Sequence, residues 1–402
     1  MHDQAADAPS WLETPPEAQW PDPADNESNS FVRYRQLAWS WHRAMAAGWT
    51  DADYVELVRN IDESVHAVDG RRFVRTPAGW VDALGGHGAP DEVFAKDETG
   101  NVGGSHKARH LMGLLLHLAI DAVAADTPLA ISSCGNAALG AATVARAAGR
   151  PIDVFIPTWA DRAVVASLEA LSARIHVCER QAGEVGDPCM LRFEEAVAHG
   201  ALPFGVQATA NRWTLDGGRT LGWELADQLA ESGSGVDHVL VQVGGGALLT
   251  SCAIGLLEGA ALGPLRRSPR VWAVQAEGCA PFDRAWRGLR SQGSIDATSS
   301  DAAARADELM RPWSGPTSAA TGILDEVTYD WLGMTRGLLL TGGGSIVAPE
   351  SDIETAHERV VEAGFNADHT GTAGYAGLLA ASRAGVISSA ERAAVLITGV
   401  QR

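Results

Sequence analysis

From Phe31 to about Val68 apolar residues recur at helical spacing, first Leu37, Trp41 and Met45, then Tyr54, Leu57 and Ile61. The pattern predicts two helices, the second opening at Thr50-Asp51 with N-cap chemistry. Before them, residues 1–30 are rich in Pro, Asp and Glu and read as a loose arm. Phe73-Val74-Arg75-Thr76-Pro77 predicts an edge strand and turn, and Val93–Lys96 a short strand. From there helices and strands alternate. A helix through Leu111–Ile120 leads to a strand at Leu129–Ser132 and a helix from Gly135 to Ala148. Strands follow at Ile152–Ile156, Arg174–Cys178, Phe204–Gln207, His238–Val243 and Val271–Ala276. The helices between them fall near Ala160–Leu171, Met190–His199, Trp213–Leu229 and Ala247–Glu258. Gln292–Arg305 reads as a surface connection. Ser351-Asp352-Ile353-Glu354 reads as a capping box that opens a helix to Ala363. A helix at Gly374–Ala384 and a strand at Ala394–Thr398 end the chain. Strands alternating with amphipathic helices imply right-handed crossovers and a mostly parallel α/β sheet.

Composition narrows the function classes. The 402 residues suffice for one or two domains with a large core. A formal net charge of −19 argues against a nucleic-acid surface or an anionic membrane face as partner. The five cysteines, Cys134, Cys178, Cys189, Cys252 and Cys279, are scattered and lack metal-site spacing. They read as reduced thiols of a cytoplasmic protein. The N-terminus lacks the pattern of a secretion signal, and the apolar runs are too short to span a bilayer.

The candidate chemistry lies at turns. In Gly103-Gly104-Ser105-His106-Lys107-Ala108-Arg109 a lysine stands at a helix start. If buried, it is desolvated and near the positive helix end, which favours the neutral amine that attacks a carbonyl. Taken alone, the heptapeptide is the pattern of a solvated loop lysine, and the catalytic reading depends on what the rest of the chain supplies. Gly244-Gly245-Gly246-Ala247, between strand and helix, suits an anion cradle of convergent N–H groups, or a plain tight turn. Thr341-Gly342-Gly343-Gly344-Ser345 is a rival glycine run without a helix directly after it. Ser133-Cys134-Gly135-Asn136 suits a carboxylate, with Asn136 as a donor, or serves as an ordinary N-cap. His106, His110 and His117 have helical spacing, but no local carboxylate or cysteine completes a metal site, and no metal is expected. Thr398 ends a strand and offers a hydroxyl. Taken together, an amine for an aldehyde, a phosphate cradle, a donor for a phenolic oxygen and a hydroxyl for a pyridine nitrogen describe pyridoxal phosphate.

These motifs resemble the tryptophan-synthase-β-like, or fold type II, pyridoxal-phosphate enzymes, over roughly residues 73–400. Asn101-Val102-Gly103-Gly104-Ser105-His106-Lys107 is similar to the family's cofactor-lysine motif Asn-Pro-Thr-Gly-Ser-Phe-Lys. His106 before the lysine is similar to the tryptophan synthase β chain. Ser133–Asn136 resembles the segment that binds the substrate carboxylate and the cofactor's phenolic oxygen, Gly244–Ala247 the phosphate loop, and Thr398-Gly399 the ending of threonine synthases. Val274–Pro281 also leans toward threonine synthase, whereas Thr214 stands where that family often has an arginine, a role that Arg212 would have to take.

The resemblance implies two domains with mostly parallel twisted sheets flanked by helices, plus an N-terminal helical extension. Its boundaries give an extension at 1–72, a large cofactor domain at 73–117 and 205–402, and a small substrate-carboxylate domain at 118–204. It implies Lys107 as the cofactor's covalent anchor and base for the α-proton. Cofactor contacts fall to His106, Asn136, Gly244, Gly245, Gly246, Ala247 and Thr398, and substrate contacts to Ser133, Cys134, Gly135 and Asn136. The expected activity is α,β-elimination on a hydroxy or β-substituted amino acid. Threonine synthesis or another replacement reaction is the alternative, and a non-catalytic cofactor-binding protein the alternative of another class. A cytoplasmic homodimer with small amino-acid substrates is expected.

Overall fold

The structure, a computed structural model, describes residues 11–184, 186–291 and 300–402. Ten strands run in chain order among them. They are β1 (Ala78–Trp80), β2 (Val93–Asp97), β3 (Leu129–Ser132), β4 (Ile152–Pro157), β5 (Arg174–Cys178), β6 (Leu202–Pro203), β7 (His238–Gln242), β8 (Arg270–Ala276), β9 (Gly344–Ala348) and β10 (Ala393–Ile397). They form a six-stranded sheet of order β1-β2-β10-β7-β8-β9 and a four-stranded sheet of order β5-β4-β3-β6. All neighbours are parallel except β1 and β2. The expected α/β class with parallel sheets flanked by helices is what the chain adopts.

The chain packs into two compact units. The first holds the described residues up to Thr14, Thr76–Gly100 and Gln207–Arg402; the second holds Pro15–Arg75 and Asn101–Val206. In the first, Gly222 and Gly255 let the helices Thr214–Glu231 and Ala247–Ala261 touch, since a Cβ on Gly222 would stand 3.0 Å from the Gly255 Cα. Of the loose arm expected at 1–30, residues 1–10 lie outside the described residues, and the stretch from Trp11 to Thr14 is docked here: Leu12 is buried, Thr14 Oγ1 donates to Glu258 Oε1 at 3.0 Å, and the Arg336 guanidinium lies 4.7 Å from the Trp11 ring. In the second unit the helix Asp51–Asp69 opens on a capping box between Thr50 and Asp53, as its sequence predicts.

Several expectations need correction. β6 pairs at Leu202 and Pro203, because register with Leu129 and Ala130 is set before Phe204, not along Phe204–Gln207. The Phe73–Pro77 strand reduces to one bridge between Val74 and Asn29. The helix after β9 runs Glu350–Glu362 with Pro349 at its N-cap, so Ser351 lies inside it and caps nothing. The rival glycine run divides, Gly342 ending the helix Trp331–Thr341 in left-handed conformation and Gly344 opening β9. Of the expected connection at 292–305, residues 292–299 lie outside the described residues and Ser300–Ala304 is helical.

Candidate active site

Lys107 is the first residue of the helix Lys107–Ile120. It is half-buried rather than buried. The whole chain contains two lysines, Lys96 and Lys107. Lys96 is fully buried in the first unit, its Nζ 2.6 Å from Glu224 Oε2 and 2.8 Å from the Thr76 carbonyl, so a carbonyl ligand has no access to it. Lys107 is therefore the only lysine amine available for imine chemistry, a signal that a lysine count carries in the sequence itself.

The backbone before Lys107 turns through Gly103 and Gly104 at φ 64° and 69°. The departure from the family's threonine at position 103 has its physical reason there, since a β-branched residue is strained at positive φ. The Gly103 N–H donates to Asp69 Oδ2 at 3.1 Å. A Cβ on Gly140 would lie 3.4 Å from the Ala108 nitrogen. That close approach brings the helix Asn136–Ala147 against the start of the Lys107 helix, so Asn136 and Lys107 belong to one packed assembly. No side chain caps the Asn136 helix, and Gly135 stands at its N-cap. The first-turn N–H groups thus face the half-exposed Ser133–Asn136 loop, an arrangement that suits a carboxylate. Burial pushes the Cys134 thiol pKa up, with Asp187 adding to the shift, so that thiol is a poor nucleophile.

His106 is buried at the N-cap of the Lys107 helix, its ring 6.0 Å from that of His110 in an edge-on contact. His117 turns elsewhere: its Nδ1 accepts from Arg43 at 2.8 Å. Among the described residues no group of three or more His, Cys, Asp or Glu is placed to hold a metal.

The remaining predicted residues lie in the first unit. β7 and β10 are adjacent and parallel, so the Gly244–Ala247 turn and Thr398 stand at the same end of the sheet. Gly246 has φ 104° and precedes the helix Ala247–Ala261. The N–H groups of Gly244, Gly245, Gly246 and Ala247 meet no acceptor among the described residues. The turn is packed without room for side chains: a Cβ on Gly244 would meet the Asp325 carboxylate, and one on Gly246 would lie 2.6 Å from Met334 Sδ. Free donors at a helix N-terminus fit a phosphate group.

Sequence reasoning missed three residues around this turn. Asp330 is buried, accepts from the Ala208 and Thr209 N–H groups at 3.1 Å each, and donates its own N–H to the Gly245 carbonyl at 2.8 Å. It braces the turn from a position 85 residues away by chain number, which no local pattern reveals. Asp368 caps the helix His369–Arg383 and donates its N–H to the Gly399 carbonyl at 3.1 Å, beside Thr398. Burial raises its carboxyl pKa above the ordinary value. Gln242 donates to Thr398 Oγ1 at 2.6 Å. Of the threonine-synthase expectations, Thr214 is buried at a helix start and Arg212 stacks 4.9 Å from the Trp213 ring.

Gly246→Ala is expected to weaken binding of a phosphate-bearing ligand by on the order of tenfold, from left-handed strain and the Met334 contact together. Titration of the ligand's absorbance checks it; unchanged affinity would remove the phosphate role from this turn.

Comparison with known proteins gives the family and the cofactor. The family model described as pyridoxal-phosphate dependent enzyme matches residues 72–399. A threonine synthase from Synechocystis is 26% identical over 308 residues, 69% of this chain and 77% of that protein. An L-serine dehydratase from Saccharomyces cerevisiae is 27% identical over 195 residues, 46% of this chain and 56% of that protein. The solved structure of maize serine racemase shares the fold with a TM-score of 0.62 at 20% identity, covering 86% of this chain and 93% of that one. The chain belongs to the pyridoxal-phosphate-dependent enzymes of fold type II, and pyridoxal phosphate is its cofactor.

Proposed function

We propose that the protein is a lyase that carries out α,β-elimination on a hydroxy or otherwise β-substituted amino acid. The observation that carries this reading is Lys107, the half-buried lysine of the two in the chain, at a helix start against which the helix Asn136–Ala147 packs at Gly140. Lys107 holds the cofactor, and its amine, once released, takes the α-proton. The uncapped start of the Asn136 helix holds the substrate carboxylate, and Asn136 donates to the cofactor's phenolic oxygen. Gly244–Ala247 holds the phosphate by backbone N–H groups, with His106 near the anchor. Thr398 meets the ring nitrogen with a hydroxyl, which leaves that nitrogen unprotonated. The bound cofactor supplies the electron sink that loosens the α-proton, and a neutral ring tempers it in favour of elimination or replacement.

The similarity to a threonine synthase supports a second reading, replacement on a phosphorylated hydroxy amino acid. Incubation with L-serine, L-threonine and O-phosphohomoserine, with oxo acid and phosphate both measured, separates the two. Oxo acid from serine or threonine is expected. Phosphate release with threonine formation would overturn the lyase reading, and no turnover of any of the three would favour a binding protein. The family resemblance further suggests a cytoplasmic homodimer, tested by light scattering. No helix among the described residues is long and apolar enough to cross a membrane.

A further inference from the structure

We propose that Asp69 is a positioning residue that fixes the turn leading into Lys107; this rests on the role of cofactor anchor given to Lys107 above. Asp69 is the last residue of the helix Asp51–Asp69, ahead of Gly70 in left-handed conformation. Its Oδ2 accepts from the Gly103 N–H at 3.1 Å, in the turn that enters the Lys107 helix. The Asp69 side chain is 14% exposed. Its other polar contact among the described residues is Arg71 Nη1 at a long 3.4 Å, and that arginine is largely open to solvent. An exposed pair of this kind contributes little.

A carboxylate is badly placed here for helix stability. The last turn of a helix carries the negative end of its dipole, which disfavours an acid. The position gains its use from the acceptor that Asp69 offers to Gly103. The lysine turn needs such a hold. Gly103 and Gly104 take φ 64° and 69°, and two glycines in succession give a chain latitude to pivot. At the helix start His106 supplies no side-chain cap, and the Lys107 N–H reaches Ser105 Oγ at a long 3.4 Å. Gly140 lies against Gly103, since a Cβ on Gly103 would stand 3.5 Å from the Gly140 Cα, but two glycines have no side chains to interlock. The far end of the Lys107 helix is tied by the same N-terminal segment. Arg43, in the helix Trp39–Ala46, donates to His117 Nδ1 at 2.8 Å and to Asp121 Oδ1 at 2.6 Å. With that end held, the helix start shifts by pivoting at the two glycines, and the charge-assisted bond to Asp69 restricts the pivot. Asp69 thereby sets where the lysine amine stands without touching it. A reacting group misplaced by about 1 Å loses about 10²-fold in rate, so the placement bears on the chemistry.

The test reads binding rather than turnover. The full chain stripped of cofactor is titrated with pyridoxal phosphate and with 4-deoxypyridoxine phosphate, which keeps the ring and the phosphate but offers the lysine amine no carbonyl. Equilibrium dialysis gives both dissociation constants. Wild type is expected to prefer the aldehyde ligand. Asp69→Ala is expected to lose about tenfold in affinity for pyridoxal phosphate, the scale of a hydrogen bond to a charged group, and to bind the deoxy ligand as wild type does. A preference that is kept, whether both ligands weaken together or neither changes, would mark a merely structural role and overturn the proposal. Asp69→Asn keeps an acceptor oxygen in the same place and is expected to retain the preference within about threefold. A loss equal to that of Asp69→Ala would assign the effect to charge alone and overturn the hydrogen-bonded role. Should Asp69→Ala not fold, Asp69→Glu replaces it. There the carboxylate moves by one methylene and the preference is expected to fall at least about threefold; an unchanged preference overturns the inference. Lys107→Ala, expected to bind both ligands alike, is the control for the anchor. If wild type also binds both alike, the anchor is misread, whatever Asp69 does.

Discussion

Lys107→Ala is expected to abolish turnover, by at least about 10³-fold, and to remove the yellow colour of the loaded protein. Two functions are lost at once. On the proposed roles of Lys107 the variant has no amine to anchor the cofactor and none to take the α-proton, and general base catalysis alone contributes about 10²–10⁴-fold. Compensation from a neighbour is excluded by composition, because the only other lysine is Lys96 and its ammonium is held by Glu224 and the Thr76 carbonyl. Borohydride reduction of the wild type, followed by peptide mass analysis, is expected to place the cofactor on the peptide that contains Lys107. Cofactor found at the N-terminal amine, or a Lys107→Ala protein that stays yellow and active, would overthrow the assignment. Colourless wild type unchanged by added pyridoxal phosphate would do the same from the other side.

The second large effect concerns stability. Glu224→Leu is expected to cost about 3–5 kcal/mol, because it leaves the Lys96 ammonium uncompensated in a site closed to water. Lys96 and Glu224 are both fully buried and 2.6 Å apart. They join β2 to the helix Thr214–Glu231, with Thr76 completing the cluster through its carbonyl, its N–H to Glu224 at 3.1 Å and its hydroxyl to Glu98. Lys96→Met combined with Glu224→Leu is expected to recover most of the loss, since removing both charges also removes both desolvation penalties. Urea unfolding of the full chain measures this. A single variant that loses less than about 1 kcal/mol would show that water reaches the pair.

The elements were largely legible because their signals are local. Leu129–Ser132 and Arg174–Cys178 are strands over the residues that their β-branched, turn-bounded runs predict. The helix from Asp51 starts where Thr50 and Asp53 can form reciprocal hydrogen bonds. Legibility failed where the signal was shared with another element. Thr341–Ser345 read as a second glycine run, and the strand β9 that opens at its Gly344 was not recognised; the Val271 carbonyl and the Trp272 ring leave Gly343 and Gly344 no space for a side chain. The helices Pro281–Arg290 and Trp331–Thr341 were not recognised at all, since glycines and aromatic residues interrupt the apolar spacing expected of a helix.

For the candidate site the division is sharper. The sequence by itself determined the turn chemistry: glycines where the chain takes positive φ, a lysine at a helix start, a hydroxyl at a strand end. It also held the lysine count that leaves two candidates for the anchor. Those properties depend on a residue and its immediate neighbours. Only the tertiary structure decided which lysine is available, because Glu224 reaches Lys96 across 128 residues of chain. Only packing set Asp330 against the Gly244–Ala247 turn, and only the strand order put Gln242 beside Thr398, 156 residues away. Burial, ion pairing and hydrogen-bond polarity arise between residues far apart in the chain, and no periodicity along one segment records them.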